Sequence, residues 1–112
     1  MEKDVHKMRL INSAYYCILN DLKDIELRLY DEKRQLLKIG DYIEFTNIDT
    51  DEKMIVEIKN LYVRKSFKEL FDEFDIKRFG FIDNEDASIM NNFYTEEEQK
   101  KYKAVGIEIV RV

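Results

Sequence analysis

Lys23-Asp24-Ile25-Glu26-Leu27-Arg28-Leu29 is the stretch whose reading decides the fold. Apolar and charged residues alternate strictly. Ile25, Leu27 and Leu29 fall on one side, and Asp24, Glu26 and Arg28 on the other. A period of two is the signature of a strand, here with one face for the core and one free for chemistry.

Upstream, Tyr15, Ile18, Leu19 and Leu22 repeat at helical spacing, and Asn12 or Ser13 is placed to cap that helix. His6 to Leu10 reads as a short first strand with His6, Met8 and Leu10 on alternate positions, behind a polar leader over residues 1–5. Downstream, Asp31 to Lys38 is a charged turn or short helix closed by Gly40-Asp41. Tyr42 to Ile48 and the β-branched run Met54 to Val63 are strands, separated by a polar turn over residues 47–52. Ser66-Phe67-Lys68-Glu69 matches a capping box, and its helix carries Phe67, Leu70, Phe71 and Phe74 on one side. Gly80 marks a loop. Asn84 then caps a short helix with Ile89, Met90 and Phe93 apolar. Thr95 to Glu98 is a second capping box, followed by Lys100 and Lys101. Val105 to Val110 is a final strand of the kind that pairs inside a sheet. About five strands and three or four short helices follow from this pattern. The fold class is α+β, with a mixed sheet curled toward a small barrel rather than a doubly wound parallel sheet.

The 112 residues suit one domain over residues 1–112. A hydrophobic fraction of 45%, with seven Phe and seven Tyr, supplies one core without staples. The chain has no Pro, no linker-like tract and no internal repeat. Its one Cys cannot form an internal disulfide, and Cys17 reads as a buried thiol. No cofactor is expected, because no Cys/His cluster has zinc spacing and neither a G-x-G-x-x-G nor a P-loop is present. No apolar run approaches the ~18 residues of a membrane span, and the first residues are no signal peptide. The expected address is the cytoplasm, with no membrane partner. A net charge of −5 argues against coating nucleic acid through bulk attraction, so any such role needs a focused site.

Several groups of residues could carry chemistry. Glu26 and Arg28 share a strand face about 7 Å apart, with Lys23 at the strand's start. They read either as solvated cross-strand partners or as a polar cleft. In the cleft, Arg28 grips a carbonyl or phosphate, Glu26 accepts from a base amino group, and Lys23 is a donor, base or nucleophile. Lys33 and Arg34 belong to a solvated turn or to the rim of that cleft. Arg64, Lys65 and Lys68 form a small basic group at a strand-to-helix junction. Asp83, Glu85 and Asp86 are a helix cap or the acid/base of a site. Tyr94 and Tyr102 pack in the core or give a stacking platform. His6, the only histidine, reads as structural.

Several spaced blocks resemble the ASCH domain, named for homology to a transcriptional activating signal cointegrator. They are His6-x-Met8-x-Leu10, then Lys23-x-Ile25-Glu26-Leu27-Arg28-Leu29-x-Asp31-Glu32-Lys33-Arg34, then Lys38-Ile39-Gly40-Asp41-x-Ile43-x-Phe45-Thr46-Asn47. The tail from Phe93-Tyr94 to Val105-Gly106-Ile107-Glu108-Ile109 resembles the end of the compact bacterial ASCH proteins, so the likeness runs from His6 to Ile109. It implies a PUA-like β-barrel with flanking helices, and an RNA-related role with a cleft beside the barrel. One similar group hydrolyses the acetyl amide of N4-acetylcytidine with a Lys, a Thr and a Glu. By that likeness its Lys corresponds to Lys23, its Thr falls at Glu26, where no hydroxyl stands, and Glu85 is the nearest match to its Glu. Family members often carry Gly-Lys-Lys-Thr before the Ile-Glu-Leu core. Here the run is Asp21-Leu22-Lys23-Asp24, which makes the cleft mouth more acidic.

The expectation is a module that binds RNA or a nucleoside-like ligand through Lys23, Glu26, Arg28, Lys33, Arg34 and Tyr94. The alternative is a small hydrolase of a modified nucleoside or of RNA, with Lys23, Glu26 and Glu85 as its catalytic groups. A protein-interaction role is a third class, and the oligomeric state is left open.

Overall fold

A computed structural model describes residues 3–81 and 84–112 of the chain. Met1 and Glu2 of the leader, and Asp83 of the carboxylate cluster, lie outside these residues. The strands are β1 (Val5–Leu10), β2 (Ile25–Leu29), β3 (Tyr42–Asn47), β4 (Lys53–Arg64) and β5 (Ala104–Arg111). The helices are α1 (Asn12–Leu19), α2 (Phe67–Glu73) and α3 (Glu96–Tyr102). Short 3-10 turns cover Arg34–Leu36, Ile76–Phe79 and Ala87–Asn92. The five strands form one sheet in the order β1-β3-β4-β5-β2, parallel between β1 and β3 and antiparallel elsewhere. This is an α+β fold whose sheet curls into half of a small barrel, with the C-terminal strand β5 pinned between β4 and β2.

The curl has a local cause. The register of β4 against β5 slips between Ile58 and Asn60, and such a bulge bends a strand and raises its twist. The long strand β4 can then serve β3 with its first half and β5 along most of its length. Side chains on opposite faces of the sheet feed two cores. Val105, Ile107 and Ile109 of β5 join Ile43, Phe45, Val56 and Ile58 under Tyr15 and Ile18 of α1. Ala104 joins Ile25, Leu27, Leu29, Phe67 and Leu70 under α2. Gly106 makes the second layer possible. A Cβ there would stand 3.2 Å from Ile25 Cγ2 and 3.4 Å from a Leu70 methyl, so any larger residue would press on the contact between α2 and β2.

β2 is where the fold departs from its sequence reading. Its apolar residues do face a core, but the opposite face is covered too. Glu26 pairs with Ile107 and Arg28 with Val105, which places both charged side chains on the concave face shared with the α1 core. Glu26 is only 4% exposed. The two edge strands β1 and β2 face each other across the open seam of the half-barrel, and side chains bridge it. Arg28 Nη2 donates to Arg9 O at 2.8 Å, and Lys33 Nζ donates to Lys7 O at 2.8 Å. Carbonyls of the β1 edge that would otherwise invite another strand are thereby engaged.

The caps differ in detail from expectation. Asn12 is not the cap of α1. Asp49 reaches over from the loop after β3 to accept from Asn12 N, while the Asn12 side chain accepts from the buried Asn47. Ser66 accepts from Glu69 N as predicted, but the Glu69 carboxylate takes the N–H of Lys65. Asp86, and not Asn84, caps the turn that follows. The Thr95–Glu98 capping box is complete. Among the described residues no helix is long and apolar enough to cross a membrane.

Candidate functional site

Lys23 sits just before β2, and its stem packs against Gly80, where an added Cβ would meet Lys23 Cδ at 3.2 Å. Gly80 holds a φ of +90° at the end of the Ile76–Phe79 turn, a conformation that favours glycine. The turn therefore delivers Lys23 to one place. Its ammonium lies 2.7 Å from Glu26 Oε1. From the other side Arg28 Nε donates to Glu26 Oε2 at 2.7 Å. The three side chains are 11%, 6% and 16% exposed for Lys23, Glu26 and Arg28, so they form one nearly buried row, cation–anion–cation.

Burial by itself would raise the pKa of the Glu26 carboxyl. The ammonium of Lys23 and the guanidinium of Arg28, with the hydrogen bonds both donate, outweigh it and hold the group at about 2. Glu26 is thus a fixed acceptor at neutral pH.

The row is the floor of a pocket of about 410 Å³, a size within the range of small-ligand sites. The β1 end contributes Arg9 and Ile11, and α1 contributes Ala14 and Cys17. The far wall is aromatic: Phe79, Phe81, Phe93 and Tyr94, with Met90. The Tyr94 ring stacks on Phe67 with centroids 5.9 Å apart and planes 7° from parallel, and burial pushes its phenol pKa up. Phe93 is 57% exposed, so its ring is open to solvent at the edge of the lining.

Of the residues singled out from sequence, Lys23, Glu26, Arg28 and Tyr94 meet in this pocket. Lys33 does not, because its ammonium bridges the seam. Arg34 is absent from the lining as well. Its backbone and side chain bond Asp31 at 3.1 and 3.4 Å, and its Nε is buried without a partner among the described residues. Glu85 is exposed and outside the lining. Tyr102 packs into the α2 core. Arg64 and Lys68 of the basic group pair with Glu73 and Asp72. His6 bonds Asp41 at 2.8 Å and ties β1 to β3, and that bond is the first cause of the lowered Asp41 pKa. With Asp4, these two place ligand-type atoms within 4.8 Å of one another, away from the pocket lining.

The pocket also recruits residues that the sequence reading missed. Phe81 and Ile11 carry no sequence signal, since an aromatic or aliphatic residue beside a core run looks like core, and Arg9 reads as an ordinary charged position of the first strand. Cys17 was read as a buried thiol. It is half-buried and lines the pocket, while Tyr15 and Ile18 of the same helix take the places in the first core.

Fold and topology define the class: the chain has an ASCH-like fold, a small curled barrel. The ZmASCH S128A mutant protein from Zymomonas mobilis superposes with a TM-score of 0.62 over 96% of this chain and 68% of that one, at 12% identity. The particular relatives are nearer. The crystal structure of hypothetical protein PH0355 matches with a TM-score of 0.84 and 35% identity, covering 96% of this chain and 99% of that one. Protein PF0455 from Pyrococcus furiosus follows at 0.75 and 32%, covering 96% and 97%. The chain belongs to the family of small proteins that includes these two. No protein-family model matches the chain, and no curated protein does.

Proposed function

We propose that this domain is a binding module that takes a base of single-stranded RNA, or a nucleoside-like ligand, into the pocket above Lys23, Glu26 and Arg28. One observation carries the reading. A charged, hydrogen-bonding floor lies at the bottom of an apolar pocket whose mouth holds the exposed ring of Phe93. A nucleobase needs both parts, polar groups for its edge and an aromatic face for its ring.

The same geometry favours binding over hydrolysis. A general base needs a free lone pair near neutral pH. Glu26 is held at about 2 with a cation on each oxygen, Lys23 enters as the ammonium of an ion pair, and Glu85 stands outside the lining.

Labelled single-stranded RNA oligonucleotides and free nucleosides, titrated into the wild type, Phe93→Ala and Arg28→Ala, test the proposal. Phe93 is exposed, so its removal should leave the fold intact and weaken binding about tenfold, the size of one base–aromatic stack. Wild type that binds neither probe at millimolar concentration, or variants that bind as well as wild type, would refute it. Incubation with N4-acetylcytidine should give no turnover. Turnover that Lys23→Ala abolishes would put the hydrolase in its place.

A further inference from the structure

We propose that the pocket floor selects the imide edge of uracil-type bases, carbonyl–NH–carbonyl, over the edges of cytosine and adenine. The inference rests on the reading of the pocket as a nucleobase site and goes on to name which base it takes.

The argument is one of order. Along the floor stand Lys23, Glu26 and Arg28, joined by contacts of 2.7 Å on either side of the carboxylate. An ammonium and a guanidinium only donate, and an ionised carboxylate only accepts. The floor therefore reads donor–acceptor–donor. Its capacity is not used up internally. Lys23 gives Glu26 one of its three donors, and Arg28 Nη1 makes no hydrogen bond among the described residues. Each Glu26 oxygen keeps a second lone pair. The imide edge of uracil presents acceptor–donor–acceptor, the complement at all three positions. Cytosine presents two adjacent acceptors and an amino donor, so a lone pair would face the carboxylate and the amino group a cation. Adenine can set its amino group on the carboxylate and N1 on one cation, but its edge has no second carbonyl and leaves the other cation unpaired. Guanine matches two positions of three.

Rigidity lets the order matter. Gly80 and the Ile76–Phe79 turn fix the Lys23 stem, and Arg9 O fixes one arm of Arg28. A preformed polar row that cannot rearrange leaves groups unpaired when the wrong edge enters, which is how hydrogen-bonding sites reject near-isosteres.

Calorimetric titrations of the full chain with uridine, N3-methyluridine, guanosine, cytidine and adenosine test this. Uridine should bind about 10- to 100-fold tighter than cytidine or adenosine, the range set by a good edge match. Guanosine, whose amino group would face a cation, should also bind more weakly than uridine. N3-methyluridine, which keeps the ring and both carbonyls but lacks the NH, should lose about tenfold or more against uridine. Equal affinities across the series, or a preference for cytidine or adenosine, would overturn the edge selection and leave the nucleobase pocket standing. No binding by any nucleoside or by RNA would overturn both. Glu26→Gln should bring the uridine-to-cytidine ratio toward one. Because that change also strips two cations of their counter-charge, the ligand series on the unaltered protein carries the test by itself.

Discussion

Glu26 is the residue on which the site turns, and its burial has consequences that can be measured without any ligand. Its folded pKa is depressed to about 2, well below the ordinary carboxylate value of 4.5. A depressed carboxylate contributes stability that is fully present above the unfolded pKa and lost as pH falls through the folded one. Between roughly pH 5 and pH 2 the protein should therefore lose on the order of 3 kcal/mol through this group. Urea denaturation of wild type and Glu26→Gln across that window checks the point, and the variant should show a much flatter acid limb. At pH 7, Glu26→Ala leaves two nearly buried cations unpaired and should cost about 3–5 kcal/mol. The alternation around Glu26 was legible in the sequence, and so were the three side chains that meet there. What could not be read was that the charged face is also covered. The cover comes from β1, α1 and the turn before Gly80, which reach β2 only through the curl of the sheet.

Elements owe their placement to a few close approaches and caps, and these separate what local sequence determines from what the tertiary structure decides. The Thr95–Glu98 box was readable because both partners lie within one turn. Thr95→Ala should cost about 1 kcal/mol, whereas Asn84→Ala should be near neutral, since Asp86 makes the cap bond. Thermal melts of the two variants would distinguish them, and an equal loss would argue against Asp86 as the cap. The start of α1 was misread for the opposite reason. Its amide finds Asp49, 37 residues away, and nothing near Asn12 announces that. Gly106 makes one of these approaches, with Ile25 and Leu70. Gly106→Ala should cost about 1–3 kcal/mol by overpacking the contact between β2 and α2, read as a shift of the urea midpoint. An unchanged midpoint would mean that the layer has more room than the 3.2 Å contact allows.

At the scale of the whole molecule, charge and shape set how the proposed binding should respond to salt. A net charge of −5 repels a polyanion over the surface at large, and the cations of the pocket are concentrated on one floor. RNA held by a base in such a pocket displaces few counterions. The plot of log affinity against log salt should therefore have a shallow slope, of magnitude about 1–2 and well below that of a protein engaging many phosphates. A steep slope would point to a backbone-tracking surface elsewhere on the fold. The curled α+β barrel was legible because strand periods, turn residues and the family blocks all agreed. The seam was not. Whether two edge strands face each other, and which side chains bridge them, depends on the sum of twist over five strands.

The most direct test of the central claim is an amide and side-chain NMR titration of the protein with a short single-stranded RNA. The account predicts that the largest shifts fall on Arg28, Phe93, Tyr94 and the Lys23–Gly80 contact, and that Phe93→Ala weakens them together. Shifts confined to another face of the barrel, or none at millimolar RNA, would contradict it.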